Sequence, residues 1–170
     1  MSITMFQASV PVLLHGLGNL QRILGKAQAH AAEKQIEPSA LIGARLFPDM
    51  LPLARQIYIA TDTAKGCAAR LANMEAPKFE DVEVTFDELD ARIQKTIDYL
   101  KTFKPEQIDG SEERSITLKM RSGPIELTGL NYLLYFVLPN FYFHITTAYD
   151  ILRHNGVELG KLDYLGKSNA

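Results

Sequence analysis

Along most of the chain, apolar residues recur in alternating steps of three and four, the spacing that places side chains on one face of an α-helix. From Ile3 the stripe Phe6, Val10, Leu13, Leu17, Leu20, Leu24 and Ala27 predicts a long first helix. Pro11, Gly16 and Gly18 weaken it and can kink it, and the segment Lys34 to Pro38 breaks it. A second stripe, Met50, Leu53, Ile57, Ala60, Ala64, Cys67, Leu71 and Met74, predicts helix two, with small central residues that let a neighbour approach closely. Thr85 and Glu88 have the form of a capping box ahead of Phe86, Leu89, Ile93, Ile97 and Leu100, which mark helix three. Lys104 and Pro105 end it.

The period then changes from helical to alternating. Ser115 to Met120 places Ile116, Leu118 and Met120 on one side, and after the turn signal Ser122, Gly123, Pro124 the alternation resumes with Ile125 and Leu127. This predicts a short β-hairpin whose apolar side must lie against the helices or a partner, since a lone hairpin is marginal. Helix four is predicted from Thr128 to the Asn155, Gly156 pair, with the stripe Leu130, Leu134, Val137, Phe141, His144, Ala148 and Ile151. Pro139 should bend it near its middle. Short connections between four long helices favour antiparallel neighbours. The expected fold is therefore all-α, an up-and-down four-helix bundle with a hairpin between helices three and four, in a single domain over 1–170.

Composition changes little in this picture. The 170 residues are 46% hydrophobic and 22% charged, and suffice for one core without staples. A net charge of -2 offers no positive field for a phosphate backbone, so nucleic acid is not an expected partner. The longest apolar run, Tyr132 to Leu138, is far short of the roughly 20 residues that span a bilayer, so no membrane is expected either. One cysteine and an N-terminus without a secretory pattern lead us to expect a reducing cytoplasm. Cys67 itself reads as a small buried hydrophobe.

His144 is the polar residue the stripes isolate. It occupies a position where the pattern calls for a hydrophobe, with Asn140 one turn earlier and Thr147 nearly one turn later. On helix two, Asp49, Gln56 and Thr63 recur every seven residues beside the core stripe, and antiparallel packing brings that helix's start toward Asn140 and His144. Two readings stay open. His144 with Asp49 is a satisfied buried pair, or it is an imidazole of tunable pKa serving as base or metal ligand. His15 is expected in solvent, and His30 and His154 in the last turns of their helices, where positive charge suits the dipole. No HExxH, CxxC, phosphate loop or nucleophile elbow occurs, and the acidic turn Asp109, Gly110, Glu112, Glu113 lacks calcium-loop spacing.

The segments LPNFYFHITTAYDILRHNG (Leu138 to Gly156) and ARLFPDMLPLARQI (Ala44 to Ile57) resemble an uncharacterised bacterial family of the DinB/YfiT-like superfamily, four-helix proteins of metalloenzyme type. The resemblance implies a site of three histidines, one on the second helix and an HxxxH pair on the last. Here the pair reads Asn140 and His144, and Asp49 or Gln56 stands in the helix-two region, so at most one of the three imidazoles survives. An amide oxygen is a poor substitute for nitrogen at zinc or nickel. The expectation is a homodimeric binding module whose polar pocket comprises Asp49, Gln56, Asn140 and His144. Its metal site is degenerate, and it carries no cofactor beyond a weakly held divalent ion at His144 and Asp49. The alternatives are a metal-dependent enzyme acting on a small thiol or amine, and a structural dimer without ligand.

Overall fold

The computed structural model describes residues 2–120 and 123–166, and its elements follow from local signals. Helix α1 (Met5–Lys34) starts at a capping box in which the Thr4 hydroxyl accepts from the Gln7 N–H and the Gln7 amide oxygen accepts from the Thr4 N–H. The Asp109 carboxylate accepts from the Phe6 N–H at 2.8 Å, so the acidic turn becomes a second cap for this end. The helix runs on through Pro11 and stops at Gln35 in a left-handed conformation.

After the short helix α2 (Pro38–Ile42), α3 spans Leu53–Leu71. It begins three residues later than the apolar spacing suggests. Pro52 disfavours helical backbone at Leu51, so Asp49 and Met50 stay in the preceding turn. At its other end Asn73 is left-handed, and the Met74 and Asn73 N–H groups close back on the Ala69 and Arg70 carbonyls. Met74 is consequently half exposed instead of continuing the stripe.

Helix α4 (Phe86–Lys101) follows the Thr85, Glu88 capping box, and a short α5 (Pro105–Ile108) leads to the hairpin. Strands β1 (Ser115–Met120) and β2 (Gly123–Thr128) pair antiparallel with Ile116 opposite Leu127 and Leu118 opposite Ile125. Ile116 and Leu118 are buried, whereas Ile125 is exposed, so β1 carries the hairpin's contact with the core. Ser122, part of the turn signal, lies outside the described residues.

Where one helix was expected from Thr128, the chain forms a short α6 (Gly129–Asn131), a π-helical turn over Tyr132–Val137, and α7 (Leu138–His154) with Pro139 in its first turn. Pro139 has no N–H to give the carbonyl of Tyr135, and its ring crowds that carbonyl. Widening the preceding turn to i→i+5 bonding accommodates both. Asn155 and Gly156 then close α7, and α8 (Lys161–Leu165) packs back on α1.

The result is mostly helical with one small antiparallel hairpin. The four long helices α1, α3, α4 and α7 enclose the core, with α3 against α7 and α4, and α1 against α4 and α7. Leu13, Leu17, Leu20, Ile57, Cys67, Leu89, Ile93, Phe141 and Ile151 lie in it with almost no exposure. No helix among the described residues is long and apolar enough to cross a membrane. The entry to the last helix is tightly set: a methyl group on Gly129 would run into the Ser111 carbonyl oxygen, beside the Leu130 N–H to Glu112 carbonyl bond at 2.9 Å. Because the obstacle is backbone, Gly129→Ala is expected to cost about 1–3 kcal/mol in a urea melt.

Candidate functional site

Two polar rungs cross the otherwise apolar interface of α3 and α7. In the first, the Gln56 side-chain N–H donates to the Leu51 carbonyl at 2.8 Å, and His144 Nδ1 lies 2.7 Å from Gln56 Oε1. The Leu51 carbonyl can only accept, so the amide nitrogen of Gln56 must face it and the amide oxygen must face the ring. His144 is therefore protonated on Nδ1, and its Nε2 keeps a lone pair with no hydrogen-bond partner among the described residues. In the second rung, one helical turn toward the start of α7, Asn140 Nδ2 donates to Thr63 Oγ1 at 2.8 Å.

His144 is only 7% exposed, and burial depresses its pKa from 6.5 to about 4, so the imidazole is neutral at pH 7. Thr147 turns away from the pair and donates to the Phe143 carbonyl at 2.7 Å. The Phe143 ring meets the imidazole edge to face at 5.2 Å.

The four residues singled out from the sequence thus part company. Gln56 and His144 meet, and Asn140 meets Thr63, the residue one heptad beyond Gln56. Asp49 joins neither rung: it sits exposed in the turn before α3 and makes no ion pair or hydrogen bond with His144 among the described residues. Pro52 holds Asp49 off the helix, so an amide and imidazole pair stands where a shared Asp49 and His144 site was expected.

A cavity of about 390 Å³ adjoins the second rung, bounded by α3, β1 and the π-helical turn. Thr63 and Asn140 line it, together with Asp62, Arg70, Lys119, Tyr132 and Phe136. Gln56, His144 and Asp49 do not. The polar pocket expected around all four residues accordingly lies one turn toward the hairpin and retains only Asn140 of them.

A further polar cluster was not legible beforehand. Arg92 on α4 has a side chain only 1% exposed. Its Nε–H donates to Thr61 Oγ1 at 2.9 Å, Nη1 to the Glu80 carbonyl at 2.8 Å and the Glu83 carboxylate at 3.2 Å, and Nη2 to Asp62 and Asp81 at 3.1 Å. The guanidinium also lies 4.6 Å from the Tyr58 ring centre. Lys65 pairs with Asp62 and Arg55 with Asp81, so three cations balance three carboxylates and fasten the 78–84 segment to α3 and α4. Arg92 stands one residue before Ile93, at the edge of the apolar stripe of α4, where an arginine reads as a solvated flank. No periodicity foretells that the 78–84 segment covers it.

Cys67 is fully buried and its thiol is pushed up to about 12 by desolvation, so it remains a protonated core residue. His15 is exposed on α1 and its Nε2–H donates to the Leu165 carbonyl at 2.7 Å, tying down α8. The buried imidazole and the two polar rungs make the α3/α7 seam the candidate site.

Its donor set does not suit a tightly held transition metal. One imidazole is available, the oxygen of its amide neighbour is already committed to it, and beyond it the seam offers the neutral amide oxygen of Asn140, a poor ligand for zinc or nickel. Among the described residues no three His, Cys, Asp or Glu side chains are grouped to hold an ion.

Fold and seam together define a class, a DinB-like helical protein in which an uncharged amide, Gln56, faces the imidazole of His144 between α3 and α7. Residues 5–165 match the family model described as a domain of unknown function (DUF1993), and the chain belongs to that family. It is similar to a crystallised DinB family member protein from Shewanella denitrificans, at 40% sequence identity over 97% of this chain and 93% of that one, with a TM-score of 0.89. Comparison with curated proteins gave no match.

Proposed function

We propose that this chain is a cytoplasmic binding module built as an up-and-down four-helix bundle, with a degenerate metal site and a ligand held by the polar groups between α3 and α7. The observation that carries the reading is the Gln56 and His144 hydrogen bond at 2.7 Å. An imidazole whose Nδ1–H is held by an amide oxygen, and whose pKa is lowered by burial to about 4, is a neutral acceptor at physiological pH. A lone neutral acceptor in the seam, one helical turn from a cavity lined by Asn140 and Thr63, suits recognition of a hydrogen-bond donor better than tight metal ligation. The module works as a homodimer, and Leu130, Leu134, Tyr135 and Tyr142, exposed along the last helical stretch, supply an apolar face for the second copy to cover.

Elemental analysis of protein purified without an affinity tag tests the reading. It is expected to find no stoichiometric transition metal in the wild type. Stoichiometric metal that disappears in His144→Ala would overturn the proposal in favour of a metal-dependent enzyme acting on a small thiol or amine. Light scattering behind size exclusion tests the assembly, with twice the 19.0 kDa chain mass expected and the single mass contradicting it.

A further inference from the structure

The cavity beside the second rung has a chemical character of its own. Its one carboxylate, Asp62, is already engaged by Arg92 at 3.1 Å and by Lys65. Its two cations, Arg70 and Lys119, have no carboxylate partner among the described residues. Arg70 donates one N–H to the Tyr132 hydroxyl at 3.0 Å, which leaves further donors of the guanidinium fork unused. Gly66 makes this placement possible, because a methyl group there would occupy the position of Arg70 Nη1. An apolar wall adjoins the guanidinium: the buried Tyr132 ring stacks on that of Phe136 with centroids 5.9 Å apart and planes 19° apart, and Phe136, only partly buried, presents the accessible ring. Both rings belong to the π-helical turn.

We propose that this cavity binds a small organic carboxylate with a flat aromatic body, the carboxylate on Arg70 and Lys119 and the ring against Phe136, which Tyr132 backs from within. The fork of a guanidinium matches a carboxylate in two parallel bonds. The Asp62 carboxylate on the same wall disfavours a dianion such as a phosphate ester, so a single negative charge fits best. A volume of about 390 Å³ suits a ligand of one or two rings. Asn140, whose amide nitrogen is held by Thr63, keeps its amide oxygen available for a donor on the ligand. This assignment rests on the binding-module reading and gives its ligand a chemical class.

Benzoate and its neutral counterpart benzamide, titrated into the full chain by ligand-observed NMR, provide the test. Benzoate is expected to bind on the order of 1 mM, as befits so small a ligand, with benzamide about tenfold weaker or worse. Arg70→Gln and Gly66→Ala should each weaken benzoate about tenfold, while melts show the fold intact, since alanine favours a helix and Arg70 is free to swing outward. Equal binding of benzoate and benzamide, no binding of either, or full affinity in both variants would overturn the assignment. Phenyl phosphate binding tighter than benzoate would overturn the choice of a monoanion. Benzoate affinity that survives Arg70→Gln and Lys119→Gln but is lost in His144→Leu would overturn this cavity and leave the binding module standing. Stoichiometric metal together with Arg70-dependent benzoate binding would do the reverse.

Discussion

Arg92→Ala is expected to lower the unfolding free energy by about 3–5 kcal/mol, the largest effect of any single substitution considered for this chain. The guanidinium is almost wholly buried, and every one of its N–H groups has a partner. Truncation leaves Asp62, Asp81 and Glu83 facing one another with only Lys65 and Arg55 to balance them. It also strands the Glu80 carbonyl and opens a void beneath the Tyr58 ring. Arg92→Lys keeps the charge but not the fork, and about half of the loss is expected to remain. In a urea melt the midpoint should fall with little change in slope, and limited proteolysis should cut the 72–84 segment faster. A loss below about 1 kcal/mol would mean that the half-exposed carboxylates are solvated well enough to make the cluster an ordinary surface network.

The second large effect concerns acid. The folded pKa of His144, about 4, lies below the unfolded value of 6.5, so between those limits the unfolded chain binds more protons than the folded one. The contribution of the neutral ring to stability is therefore complete above about pH 6.5, declines as the pH falls, and is gone below about pH 4. With allowance for water reaching the ring edge, the decline amounts to about 1–2 kcal/mol. His144→Leu removes this dependence. At neutral pH the variant should lose about 1–2 kcal/mol, because Gln56 Oε1 is left buried without its donor. At about pH 4 that deficit should shrink or reverse relative to the wild type. Gln56→Leu with His144→Leu should recover much of the loss, with a coupling of about 1 kcal/mol or more in the double-mutant cycle. Urea melts of the wild type, both single variants and the double variant at the two pH values decide. A deficit independent of pH would contradict the buried neutral imidazole.

Much of the local structure was legible because it depends on local chemistry. The capping box of Thr85 and Glu88, the α1 and α4 stripes, the hairpin and the Asn155, Gly156 stop each follow from neighbouring residues, and each is present. Two boundaries show the limits of periodicity. The apolar spacing of helix two continues through Met50 and Met74, but Pro52 and the left-handed Asn73 act more strongly than the spacing does. The spacing of the last helix passes over Pro139 without interruption, and gives no sign that the backbone answers with a π-helical turn in place of a simple bend.

The candidate site divides along the same line. That His144 stands on a buried stripe follows from its neighbours in the chain, since helical spacing alone commits it to the face shared with Phe141 and Ala148. That it meets Gln56 and not Asp49 is a matter of how α3 and α7 are staggered, and stagger is set by the packing of whole helices. Arg92 and Arg70 make the point more strongly. Each reads in sequence as a charged helix flank, and each becomes special only because a distant segment, 78–84 or the Tyr132 turn, comes to lie over it. Most helical stretches and their apolar faces can be read from the chain alone, because they depend on interactions a few residues apart. The pairing of polar groups waits on the packed helices, because a hydrogen bond between residues 56 and 144 forms only when the stagger of two helices brings them within about 3 Å.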